Sequence, residues 1–173
     1  MIDKITNYYD YIIARKKFDG LIVDTNVMLL FLVGKYDLDF IKNFPFHRTA
    51  RYSKSDFGIL EDVFKNFNKI IITPHTLTEL SNLSKKVNSY RIEEYFNVFI
   101  NVLLQFDELN VDKNIILKSP NLYKFGVADF AIWSIAKGKK YLVFTDDYTL
   151  KGFLKSKEID TISIYEIREY FRK

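Results

Sequence analysis

Several acids in this chain stand where a carboxylate is locally out of place. Asp24 closes the apolar stretch Leu21-Ile22-Val23 and opens Asp24-Thr25-Asn26. Asp146-Asp147 follow a second apolar stretch, Tyr141 to Phe144, and Thr145. Asp129 shares a helical stripe with Ile132, Trp133 and Ala136 at i+3, i+4 and i+7. Glu79 lies beside Leu80 and Leu83 on the segment after Ile70-Ile71-Ile72. Burying a carboxylate at a strand end is costly unless something requires it. Carboxylates gathered in one place repel each other unless a divalent cation lies among them. An all-oxygen cage suits Mg²⁺ or Mn²⁺, and the chemistry it suits is phosphodiester hydrolysis. Each acid also has a plain structural reading. Asp24 and one of Asp146 and Asp147 could cap helices, Glu79 could be an exposed helix acid, and Asp129 could complement a helix N-terminus. Their joint occurrence favours the cage.

Strands alternating with helices must hold these acids. The pattern predicts an amphipathic helix from Ile2 to Lys16, a buried strand Leu21–Asp24 and a buried helix Asn26–Leu32. A short helix Leu38–Phe44, a loop Phe46–Ser55 and a weak helix Phe57–Phe67 follow. Lys69–Ile72 reads as a strand. Thr73-Pro74 then opens a helix reaching Val87, with Thr73 as N-cap and Pro74 in the first turn. Tyr90–Leu109 reads as one long helix, Asn114–Leu117 as a strand and Val127–Lys137 as a helix closed by Gly138. Strand Tyr141–Phe144, helix Tyr148–Leu154, strand Thr161–Ser163 and helix Tyr165–Phe171 complete the chain. The expectation is an α/β fold, with a parallel sheet of about five strands flanked by helices. One domain spans 1–173: an N-terminal helical extension at 1–19, a core at 20–163 and a C-terminal helix at 164–173.

Composition narrows the chemistry. The chain has 173 residues, 48% of them apolar, enough for a sizeable core. There is no Cys and His is 2, which removes disulfides, thiolate sites and a His-rich zinc site. The net charge of +4 permits a nucleic-acid partner without demanding one. The longest apolar run, Val27 to Val33, is far short of the roughly 20 residues of a membrane span. No secretory signal is apparent, and a soluble cytoplasmic protein is expected.

The chain resembles a PIN domain. The resemblance is carried by Leu21 to Val27, by Ile72-Thr73-Pro74 with Glu79-Leu80, by Ala128-Asp129-Phe130-Ala131-Ile132, and by Val143-Phe144-Thr145-Asp146-Asp147, over roughly Gly20 to Ser163. It implies a Mg²⁺- or Mn²⁺-dependent ribonuclease, either a VapC-type toxin or another PIN-like nuclease. Carried over by position, Asp24, Glu79, Asp129 and Asp147 would be the catalytic and metal-binding acids, with Asp146 as an alternative to Asp147. Thr25, Asn26 and Thr145 would orient them through hydrogen bonds. Residues 1–19 and 36–68 lie beyond a compact toxin's pattern and could supply a dimer contact, a partner surface or a substrate clamp.

Single-stranded RNA is the expected substrate. Arg48, Arg51 and Lys54 could take phosphates, with Phe46, His47 and Tyr52 for stacking; Lys85, Lys86 and Arg91 form a second basic group, and Lys137, Lys139 and Lys140 a third. The ordinary reading of each group is a solvated face. Phe64, Phe67, Phe96, Phe99 and Phe106 fall at helical spacing and read as core or a dimer face. A cognate antitoxin would be a protein partner. The competing function is a catalytically silent module binding RNA or protein on the same fold. An aspartyl-phosphate phosphatase is disfavoured, since Asp24-Thr25-Asn26 lacks its second Asp, and no glycine-rich phosphate loop is present.

Overall fold

The computed structural model describes residues 18–45, 48–120 and 122–172; the expected helix Ile2–Lys16, together with Phe46 and His47, lies outside them. Five parallel strands form one sheet in the order β3-β2-β1-β4-β5. They are β1 (Gly20–Val23), β2 (Ile70–Ile72), β3 (Asp107–Glu108), β4 (Tyr141–Phe144) and β5 (Thr161–Ile162). The helices are α1 (Thr25–Tyr36), α2 (Lys54–Lys65), α3 (Pro74–Ser84), α4 (Ile92–Leu103), α5 (Lys113–Leu117), α6 (Leu122–Ala136), α7 (Tyr148–Ser156) and α8 (Ile164–Arg172). The α/β class is as expected, and among the described residues no helix is long and apolar enough to cross a membrane.

The central strands are apolar throughout because both of their faces are covered. Side chains alternate across the sheet: Leu21, Val23, Ile70, Ile72, Leu142 and Phe144 enter one core, while Ile22, Ile71 and Val143 enter the other. Register aligns Leu21 with Ile70 and Leu142, and Val23 with Phe144. Helix α1 is buried nearly all round, which explains its uninterrupted apolar run. Phe31 packs on Phe64 and Phe106 with ring centroids 4.4 and 6.1 Å away. Gly34 lets α2 approach closely, since a Cβ there would meet the Phe57 ring at 2.1 Å. Phe64 and Phe99 are buried, and Phe67, Phe96 and Phe106 pack against the same core.

Four expectations need correction. Asn114–Leu117 is helix, not strand: the Asp112 side chain accepts from Asn114 N at 2.7 Å and starts a helical turn in which only Ile116 is buried. The third strand is instead Asp107–Glu108, inside the stretch read as one long helix. That helix ends at Leu103, and Leu109 N donates to Ile72 O at 3.1 Å, fastening the edge strand. Ser53 and Asp56 form a capping box, so α2 begins at Lys54 within the expected loop. The segment after Asp37 is a 3₁₀ turn over Leu38–Ile41 rather than a helix to Phe44.

Helix α8 is docked by charge. Arg168 forms a two-pronged ion pair with Asp56, which is 1% exposed. Burial opposes ionisation of Asp56, but Arg168 and the Ser53 bonds outweigh it and hold its pKa below the usual value. Removing Arg168 strands this carboxylate. Arg168→Met is expected to cost about 2–4 kcal/mol, below the value for a fully buried pair because Arg168 is partly exposed. Urea unfolding measures this, and adding Asp56→Asn should recover part of the loss.

Candidate active site

The strand order reverses between β1 and β4, where ligands bind in open α/β sheets. Asp24 and Asp147 follow the carboxyl ends of those two strands. Asp24 is buried and caps α1: its Oδ1 accepts from Thr25 N at 2.6 Å and its Oδ2 from Thr145 Oγ1 at 2.9 Å. Thr145 is fully buried, and its Oγ1 also accepts from Asp147 N at 3.0 Å. Asp147 caps α7, with Oδ1 accepting from Leu150 N at 2.8 Å. The capping readings of Asp24 and Asp147 therefore hold, and each cap leaves its carboxylate at the crevice.

Glu79 comes from the middle of α3, beyond β2. Its Oε2 accepts from Thr25 Oγ1 at 3.0 Å. Its Oε1 lies 3.3 Å from an Arg48 guanidinium nitrogen, and the same nitrogen donates to Asn26 Oδ1 at 3.1 Å. Asp129 lies on α6 just past Gly126, whose φ of 79° and ψ of 176° interrupt the helix. Only glycine adopts that backbone readily. The break makes Asp129 a first-turn residue of the segment that follows.

Two of the four carboxylates, Asp24 and Asp129, are shifted from their ordinary values. Burial pushes the pKa of Asp24 up to about 6, against the lowering bonds from Thr145 and Thr25, and the charges of Asp147 and Glu79 add to the rise. Burial, with smaller contributions from the charges of Asp24, Asp147 and Glu79, lifts Asp129 to about 7. Asp146 does not belong to this group. Its Oδ1 accepts from Ile164 N at 2.8 Å, and its buried carboxyl is raised by desolvation while Tyr52, Arg51 and Arg168 favour its charge. Successive residues of an extended segment face opposite ways, so Asp147 looks into the crevice and Asp146 toward α8. That separates the two alternatives for the final acid.

The donor set is all oxygen, which fits Mg²⁺ or Mn²⁺. Burial first, and then the negative charge of Asp24, Asp147 and Glu79, disfavour the ionised form of Asp129, and such an ion would offset both. In this conformation no three Asp, Glu or His side chains among the described residues are drawn into a ligating group. Each of three is tied elsewhere: Asp24 to Thr145, Asp147 to Leu150, Glu79 to Thr25 and Arg48.

The basic groups fare differently. Arg48 reaches the crevice. Arg51 instead donates to the Tyr52 hydroxyl at 2.8 Å, and Tyr52 is fully buried rather than a stacking surface. Lys54 pairs with Asp39 at 2.5 Å, and Arg91 with Asp37 at 3.6 Å. Lys85 and Lys86 follow the far end of α3. Lys137, Lys139 and Lys140 are near the acids in sequence only. They precede β4, at the opposite end of the sheet, and line a cleft of about 520 Å³ with Lys157, Trp133 and Tyr141. Sequence reasoning passed over Tyr148, which stands 90% exposed directly after Asp147; its position one residue past a strand-end acid was the available signal. His75 has its Nε2 buried without a hydrogen bond.

These shifts fix a pH dependence. A carboxyl whose folded pKa is raised stabilises the fold below its unfolded pKa, near 4, and loses that contribution as pH rises through the folded value. The metal-free protein should therefore lose thermal stability as pH rises from about 4 to about 7. Asp24→Asn and Asp129→Asn should each flatten the profile, as measured by Tm against pH in EDTA. Sequence comparison brings no relative to bear on the site: no protein-family model and no curated protein matches the chain.

Proposed function

We propose that the chain is a divalent-metal-dependent endoribonuclease of the PIN type, hydrolysing phosphodiester bonds of single-stranded RNA in the cytoplasm. What supports this reading is that Asp24 and Asp147 follow the two strands at the switch point, and that the charges of Glu79 and Asp147 bear on Asp24 and, with Asp24, on Asp129. Structural caps alone give no reason for Asp129 and Glu79 to add their charge to the same crevice.

Asp24, Glu79, Asp129 and Asp147 would hold Mg²⁺ or Mn²⁺, which supplies an activated water and neutralises charge on the phosphoryl oxygens. Thr145 keeps its hydroxyl proton on Asp24 Oδ2, aiming Oδ1 and the carboxylate plane. Thr25 does the same for Glu79. Tyr148 offers an exposed ring beside Asp147 on which a base can stack. Burial around Asp24 lowers the local dielectric and strengthens each of these interactions. The toxin of a toxin–antitoxin pair is one biological setting for this chemistry, with the antitoxin as protein partner and a homodimer as the assembled form.

A catalytically silent module is the second reading. It is favoured by the Glu79–Arg48 ion pair, which fills one acid's coordination with a side chain.

Cleavage of a labelled single-stranded RNA in Mg²⁺, Mn²⁺ or EDTA separates the two. Cutting should require metal, and Asp24→Asn/Asp129→Asn should reduce it at least 100-fold, the scale of removing electrostatic stabilisation at a reaction centre. Salt-dependent RNA binding without turnover in any metal would establish the silent module instead.

A further inference from the structure

Arg48, one of the expected phosphate contacts, touches the acidic crevice. Its placement is built rather than incidental. The neighbouring Thr49 is fully buried and its Oγ1 donates to Ile41 O at 2.5 Å, while Lys42 Nζ reaches Ala50 O at 3.3 Å. The backbone that follows Arg48 is thus tied to Ile41 and Lys42, and the Arg48 side chain reaches Asn26 and Glu79. One guanidinium nitrogen meets Asn26 Oδ1 at 3.1 Å and Glu79 Oε1 at 3.3 Å. Both bonds are longer than a good charge-assisted contact. The two side chains are 42% and 37% exposed, so water and salt weaken their attraction.

A guanidinium cannot shed its charge in a protein. Any second cation taking Glu79 must therefore displace it. Once displaced, it remains tethered at the rim of the crevice, a planar fork shaped for phosphate oxygens.

Resting on the nuclease reading above, we propose that Arg48 is an internal cation of the crevice: it occupies Glu79 until a divalent ion displaces it, and the freed guanidinium then grips a phosphate of the RNA backbone. The same residue thereby opposes metal and favours substrate. Its replacement must move the two affinities in opposite directions, which a purely structural role would not do.

The test uses the full chain with Arg48→Gln and Arg48→Lys, and with Lys139→Gln as a charge control at the opposite end of the sheet. Mn²⁺ binding is titrated by electron paramagnetic resonance. Binding of a fluorescent single-stranded RNA is followed by anisotropy with Ca²⁺ in place of Mg²⁺. Arg48→Gln should bind Mn²⁺ about threefold to tenfold more tightly, the scale of losing a competing surface ion pair. It should bind RNA several-fold more weakly, and Lys139→Gln should leave Mn²⁺ affinity unchanged. Arg48→Lys keeps the charge without the fork, so its Mn²⁺ affinity should stay closer to wild type while RNA binding falls. Unchanged or weaker Mn²⁺ binding in Arg48→Gln, or an equal gain in Lys139→Gln, overturns the proposal and leaves the nuclease reading standing. Failure of wild type and every variant to bind Mn²⁺ overturns the nuclease reading itself, and this proposal with it.

Discussion

A single threonine hydroxyl holds the end of the sheet together. Thr145 Oγ1 donates to Asp24 Oδ2 across 121 residues of sequence, and accepts the backbone N–H of Asp147. The Thr145 N–H reaches Ile162 O at 3.0 Å, and Asp24 N reaches Phe144 O at 3.0 Å. The ends of β1, β4 and β5 are fastened at one point. Without that point Asp24 would be a buried carboxylate with one backbone partner, and its desolvation would be harder to offset. With it, the carboxylate is tolerated in a charged or a protonated state, and its direction is fixed in both.

A second constraint acts on the other side of the same turn. Asp146 accepts from Ile164 N and stands next to the buried Tyr52 hydroxyl, while Arg168 spans Asp56 and Arg51 O. This network docks α8 and α2 against the sheet. Two consecutive acids therefore serve unrelated ends: one stiffens the scaffold, the next faces the crevice. The pleat of the backbone makes that division possible in so short a segment.

Much of this was legible in the residues. The central strands announced themselves as apolar runs with no alternation, because parallel strands are covered on both faces. Asp24, Asp129 and the pair Asp146-Asp147 drew attention as acids at strand ends or on an apolar helix stripe, although each had a plain structural reading and Glu79 alone was a weak signal. The edge was not legible. β3 consists of Asp107 and Glu108, both exposed, so it lacks the apolar signature of a strand and merged with the helix before it. Ile115-Ile116-Leu117 misled in the opposite sense, since three apolar residues in a row suit a strand, yet Asp112 capped them into a helical turn. The Arg48–Glu79 contact was beyond reach, as it joins residues 31 apart through side-chain reach alone. Nearness in sequence also deceived for Lys139 and Lys140, because a strand carries the chain from one end of the molecule to the other.

That last separation gives the molecule a direction. Lys137, Lys139, Lys140 and Lys157, set against Glu158 and Asp160, lie at one end of the strands, and the four crevice acids lie at the other. These two groups place opposite local charge at the two ends of the strands, within a net charge of +4. A cation in the crevice would neutralise the acidic end and leave the lysine end as it is, so the contrast in charge between the two ends would fall.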